Sequence, residues 1–153
     1  MVDLEKSKYA PKAEALFREG YNCAQSVVLA FADKYDIDFD TAAKVSSSFG
    51  GGLGRLREIC GCVSGMSMAL GLIQGYSSPK DTGGKANQYK LVQELAAAFK
   101  QENGSYICRE LLFGITGDTN PTPEARTKEY YKKRPCPKLC AMAAAILEEK
   151  LGL

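Results

Sequence analysis

Six cysteines and no histidine decide what chemistry is open to this 153-residue chain. Without imidazole there is no ordinary general base, no Cys–His or Ser–His–Asp nucleophile and no CxxCH attachment for a c-type haem. Sulfur is left to act, with carboxylates, Lys, Arg or Tyr in support. A thiolate is both a nucleophile and a metal ligand. Two chemistries follow: reversible dithiol/disulfide exchange, or four sulfurs holding zinc or an iron–sulfur cluster. The spacings leave both open. Cys60 and Cys62 form a CxC pair whose disulfide would be strained and easily reduced, and Cys136 and Cys140 stand one helical turn apart. There is no CxxC and no tight three-cysteine run of the ferredoxin kind. A third account makes the cysteines small apolar fillers of a core.

The elements that must position these thiols are helical nearly throughout. Ala13, Leu16 and Phe17 recur at helical spacing before Gly20. Asn22 can cap a second helix carrying Val27, Val28, Phe31 and Tyr35, and Asp38 or Asp40 opens a third through Ala42, Val45 and Phe49. A glycine-rich connection, SFGGGLGRLREICG, leads to a fourth helix that starts near Cys60–Cys62 and ends about Gly75. YSSPKDTGGKAN reads as a loop. Beyond it come a helix from Tyr89 to Asn103, a short one over Tyr106–Phe113, a turn or two in PEARTKEYYKK, and a last helix from Cys136 or Pro137 through Leu147. With no strand-like alternation, the expected fold is all-α: one domain over residues 1–153, a bundle of about six to seven helices.

On that map Cys23, Cys60, Cys62, Cys108 and Cys136 fall at or near helix starts. Free N–H groups and the positive end of the helix dipole favour an anion there, which is how helix N-termini lower a cysteine pKa. Arg55, Arg57 and Arg109 lie close in sequence to Cys60 and Cys108 and add positive field. GGGLGR at Gly50–Arg55 lacks the GxGxxG register and follows no strand. It reads as a tight turn between helices more than as an anion cradle.

Composition narrows the class. Hydrophobic residues make up 45% and charged residues 25%, with a net charge of +2. That balance points to neither a nucleic-acid nor a membrane partner. Lys132-Lys133-Arg134 is expected to be a solvated turn. The opening MVDLEKSKYAPK has no apolar core of a secretory signal, and no apolar stretch is long enough to span a bilayer. The expectation is a cytoplasmic protein, whose thiols stay reduced and whose disulfides are transient. Nothing in the pattern opposes a homodimer.

GYNCAQSV at Gly20–Val27, GGGLGR leading to CGCVSGMSMALG at Cys60–Gly71, CRELL at Cys108–Leu112 and the CPKLCAMAAAILEEKL end resemble, in order and over almost the whole chain, a known family. These are small redox-active proteins, mainly bacterial and archaeal, named for a C…CGAxxG…C…C pattern. The resemblance sets the four family cysteines on Cys23, Cys60, Cys108 and Cys136, and the motif glycines, assigned to cofactor contact, on Gly61 and Gly65. The chain departs where the motif alanine is Cys62, and Cys140 is an addition. What the resemblance implies is cysteine-based redox chemistry. Cys60 is then the expected attacking thiolate, with Cys23, Cys108 or Cys136 resolving and Cys62 nearby. In the alternative, Cys23, Cys60, Cys108 and Cys136 ligate an iron–sulfur cluster or zinc. The partner is a redox protein or a small-molecule oxidant or reductant.

Overall fold

Local signals start and stop most of the helices. In the computed structural model, which describes residues 2–153, α1 spans Ala10–Glu19, with Pro11 in its first turn and Gly20 closing it at φ 116°. Asn22 begins α2 (Cys23–Ala30) with a reciprocal capping box: its side chain accepts from the Gln25 N–H, and the Gln25 side chain accepts from the Asn22 N–H. Asp38 caps α3 (Phe39–Ser46) through the Thr41 N–H. Then follow α4 (Gly61–Gln74), α5 (Thr82–Asn103), α6 (Cys108–Leu111), α7 (Lys128–Lys133) and α8 (Cys136–Leu151). Two 3₁₀ turns, Ala32–Lys34 and Ser47–Phe49, follow α2 and α3.

The all-α expectation holds. Among the described residues there are eight α-helices rather than six or seven, α6 and α7 being the shortest, and extended pairing is limited to one bridge between Ile59 and Ile107. One expected loop is partly helical. Thr82–Asn87 belong to α5 because Asp81 accepts from the Gly84 N–H and supplies a start that two glycines obscure in the sequence. No helix among the described residues is long and apolar enough to cross a membrane.

Helix α8 is the central post. It packs on α1, α2, α4 and α5, and its inward face (Leu139, Ala143, Ala144, Leu147) is almost wholly buried. Phe31 of the α2 end, Met66 and Leu70 of α4, and Leu95 and Phe99 of α5 close the same core. Val45 and Tyr89, which share the apolar spacing of their helices, face outward at 56% and 55% exposure.

The α2–α4 crossing is unusually close. A β-carbon on Gly65 would lie 2.7 Å from the Ala24 carbonyl oxygen and 3.1 Å from the Val27 side chain. Gly65→Ala is therefore expected to destabilise the fold by about 1–3 kcal/mol, the usual range for overpacking. Gly83→Ala, at an exposed helical position with nothing within 4 Å, is expected to stabilise it by about 0.4–1 kcal/mol. Denaturant unfolding of the two variants reads the opposite signs.

Candidate functional site

Four helix starts bring their cysteines to one place. The Asn22 cap sets Cys23 as the first residue of α2, and Asn22 Nδ2 also donates to the Ser47 carbonyl at 2.9 Å. Cys60 is the N-cap residue of α4 and Cys108 the first residue of α6. These two are held side by side by bridge-like hydrogen bonds: the Cys60 N–H donates to Tyr106 O at 2.9 Å, and the Cys108 N–H to Glu58 O at 2.6 Å. Cys136 opens α8 between Pro135 and Pro137. One turn further into α8 is Cys140, and Cys62 lies in the first turn of α4.

Cys23, Cys60, Cys62, Cys108 and Cys136 all line a single cavity of about 410 Å³. Cys140 sits against its floor, with Cys140 Sγ 3.6 Å from Cys62 Sγ and 3.9 Å from the Cys23 carbonyl oxygen. Cys62 and Cys140 are fully buried, Cys60 and Cys108 nearly so, and Cys23 and Cys136 half-buried. All six thiols are free, and among the described residues no three Cys, Asp or Glu side chains are placed so as to hold a metal ion.

The thiols differ sharply in their ease of ionisation. Cys23 is lowered well below the ordinary thiol value, first by a hydrogen bond from the Cys62 thiol and then by the N–H groups of Gly51, Ala24 and Cys23 itself, which together outweigh its burial. Its sulfur occupies the space a side chain on Gly61 would fill, which seats it at the start of α4 as well as of α2. Two helix starts thus meet at one sulfur, whose backbone donors come from α2 and the Gly51 turn. Cys62 is raised well above the usual value by its sulfur neighbours, Cys140 first and then Cys23 and Cys60. Burial raises Cys136, Cys140 and Cys108, the last against the opposing pull of Arg57. A cluster this dense tolerates one thiolate, because each further negative charge is repelled by the first.

The glycine-rich connection is the lip of this cavity. Gly51, Gly52, Leu53, Gly54 and Arg55 all have φ between 53° and 72°, and Arg57 follows at 63°. Left-handed backbone costs a non-glycine residue about 1–2 kcal/mol, and three of the six are not glycine. Long turn hydrogen bonds hold the shape, among them Arg57 N–H to Gly51 O at 3.0 Å and Glu58 N–H to Gly52 O at 2.9 Å. Its outcome is an inward Gly51 N–H at Cys23 and a Gly52 pressed against the Cys108 β-carbon.

Four guanidinium groups complete the walls. Arg57 is 3% exposed; its Nε donates to Asp118 O at 3.0 Å, its Nη1 lies 3.8 Å from Cys108 Sγ, and its buried Nη2 has no partner among the described residues. Arg55 bonds the carbonyls of Asn120 and Thr122 and pairs with Asp118. Arg126 donates to the carbonyls of Phe17 and Tyr21 and stacks 4.0 Å over the Phe17 ring. Arg134 pairs with Glu124 at 2.6 Å and stacks on Tyr130. These bonds pin the 116–126 loop down, so that Pro121, Pro123 and Glu124 form one wall.

All the cysteines expected to act are therefore brought together, and Gly61 and Gly65 are found in the α2–α4 crossing, against Cys23 and Ala24. Of the three arginines singled out by sequence, Arg55 and Arg57 are in the walls, while Arg109 is exposed and pairs with Glu58. The basic Lys132-Lys133-Arg134 run is not a solvated turn throughout: Arg134 is buried in the cavity wall at the end of α7. Arg126 and Tyr130 carry no sequence signal, since what recruits them is contact with α1. A family model described as "Putative redox-active protein (C_GCAxxG_C_C)" matches residues 21–150. No curated protein and no solved structure matches the chain.

Alkylation of the reduced protein with iodoacetamide across pH is expected to modify Cys23 first, with a midpoint below the value of about 8.5 of an ordinary cysteine. Cys62→Ala is expected to move that midpoint upward, since the Cys62 thiol is the largest stabiliser of the thiolate. Mass spectrometry of the modified peptide checks both.

Proposed function

The chain belongs to the redox-active C_GCAxxG_C_C family, and on that premise we propose that it performs thiol–disulfide exchange with a small anionic disulfide admitted to the cysteine cavity. The observation that carries this reading is the seat of Cys23, the first residue of α2, whose sulfur lies against Gly61 at the start of α4 and takes the Gly51 N–H, at a cavity lined by five of the six cysteines. Cys23, rather than Cys60, is the attacking thiolate, because it has the donors that an attacking sulfur needs and is the more exposed residue of the two at the cavity.

The steps balance as an exchange. Cys23 thiolate attacks one sulfur of the substrate disulfide, forming a mixed disulfide and expelling the first thiolate. Cys62, which lines the same cavity as Cys23, gives up its proton to the leaving thiolate and attacks the Cys23 sulfur, expelling the second. The substrate gains two electrons and is released as one thiolate and one thiol, the thiol carrying the Cys62 proton, and the thiolate–thiol pair of the protein becomes a disulfide. The preference for an anion rests on the arginines. Arg55 and Arg134 are paired with Asp118 and Glu124, whereas Arg57 and Arg126 meet only neutral acceptors or thiols. A carboxylate on the substrate would satisfy the unpartnered Arg57 nitrogen, and leaving such a buried donor unpaired costs about 1–3 kcal/mol.

The test uses anaerobically reduced protein and two probes, the dicarboxylate 5,5′-dithiobis(2-nitrobenzoate) and the neutral 4,4′-dipyridyl disulfide. Two probe thiols are expected per protein disulfide formed, with the anionic probe favoured once the intrinsic reactivities of the probes with free cysteine are divided out. Cys23→Ser is expected to abolish the fast phase. Stoichiometric iron or zinc in the anaerobic protein, with thiols that resist the probe, would replace this reading with the ligand one.

A further inference from the structure

The cysteines left over when the four of the family pattern are set on Cys23, Cys60, Cys108 and Cys136 are Cys62 and Cys140, and these two meet. Their sulfurs are 3.6 Å apart, across the α4–α8 contact, in a pocket of the core with no exposure at either residue. They are separated by 78 residues of chain, so only the tertiary fold pairs them. Sulfur–sulfur van der Waals contact is the arrangement from which a disulfide of about 2.05 Å closes by small side-chain rotations.

We propose that Cys62 and Cys140 are a second dithiol/disulfide couple, an inner relay that takes over the oxidation first received at Cys23. The relay rests on the exchange reading above and extends it by one step. Once the Cys23–Cys62 disulfide has formed, Cys140 attacks Cys62 Sγ and its proton passes to the departing sulfur. The Cys62–Cys140 bond forms, the Cys23–Cys62 bond breaks, and Cys23 leaves as a thiol, which then releases that proton to solvent in the cavity and returns to the thiolate. No further oxidant is required, since one disulfide is exchanged for another.

Two physical arguments give the step its direction. Exchange runs toward expulsion of the better leaving group, and the sulfur most stabilised as an anion is Cys23, with its helix-start and Gly51 donors. Cys62 is disfavoured as an anion by its sulfur neighbours, Cys140 first, and Cys140 by burial, so the bond that removes both from ionisation is the more stable one. Position matters too. Cys62 lines the cavity together with Cys23, and Cys140 lies behind it, 3.6 Å from its sulfur and 3.9 Å from the Cys23 carbonyl oxygen, so Cys62 stands between the cavity and the core. The relay returns Cys23 to its thiolate state while the oxidising equivalent is stored where neither solvent nor a bulky thiol reaches it.

The experiment is a linkage map of the protein oxidised by the anionic probe, quenched in acid and digested under non-reducing conditions, with fragmentation to separate Cys60 from Cys62. In the wild-type protein a Cys62–Cys140 linkage with free Cys23 is expected. Cys140→Ala is expected to arrest oxidation at Cys23–Cys62, and Cys23→Ser to form Cys62–Cys140 many-fold more slowly. A wild-type map that shows Cys23 still linked and Cys140 still free overturns the relay alone, leaving the exchange reading in place. The relay also falls if Cys62–Cys140 forms equally fast in Cys23→Ser. If the probe reacts first at a cysteine other than Cys23, or at none, both readings fall. The wild-type map decides the relay even where a variant does not fold.

Discussion

The place where Cys23 Sγ lies over the bare α-carbon of Gly61 is where sequence, packing and chemistry meet. Any side chain at Gly61 would collide with that sulfur and with the Phe49 carbonyl 2.8 Å away, and any side chain at Gly65 would hold α2 off α4. The two glycines thus set the helix separation, and the separation seats the Cys23 sulfur against the start of α4. Glycine inside a helix costs about 0.5–1 kcal/mol against alanine. Here that cost is offset by a close backbone approach and by the field at one sulfur.

The same crowding divides the labour among the cysteines. One thiol can donate its single hydrogen to only one neighbour, so Cys62 can hold the Cys23 thiolate or contact Cys140, but not donate to both. The negative charge settles at Cys23, where N–H groups point inward, and the remaining thiols stay protonated in a largely apolar setting. The arginine walls supply positive field without supplying a proton acceptor, since guanidinium does not deprotonate in proteins. In the proposed exchange, such a cavity keeps one nucleophile and several hydrogen donors near the anionic substrate.

Strain is concentrated at the rim. Leu53, Arg55 and Arg57 accept left-handed backbone, and what holds them there is the bonding of Arg55 and Arg57 to the 116–126 loop, together with the Ile59–Ile107 bridge just behind. The loop in turn is tied by Arg126 to the end of α1 and by Arg134 to the start of α8. Backbone strain of this kind persists only where surrounding contacts over-determine it, and it collects at functional sites.

What could be read from the sequence alone was what depends on neighbours a few residues apart. Asn22 before Gln25, Asp38 before Thr41, Pro beside Cys136 and the spacing of Val27, Phe31, Met66 and Leu70 are local rules, and they place the helices and the cysteines at their starts. Local rules also misled where their cues were weak: two glycines hid the first turn of α5, and a basic run concealed that Arg134 points inward. The tertiary structure decided which thiol carries the charge. Cys23 and Cys60 have equivalent claims as helix-start cysteines, but Cys23 is the one that takes the Gly51 N–H, which comes from a left-handed turn distant in the chain. It also decided that Cys62 and Cys140, far apart in the chain, touch. Helix starts follow from hydrogen bonds within one turn, whereas the meeting of four starts at one cavity follows from how α2, α4 and α8 cross, and no local pattern encodes a crossing.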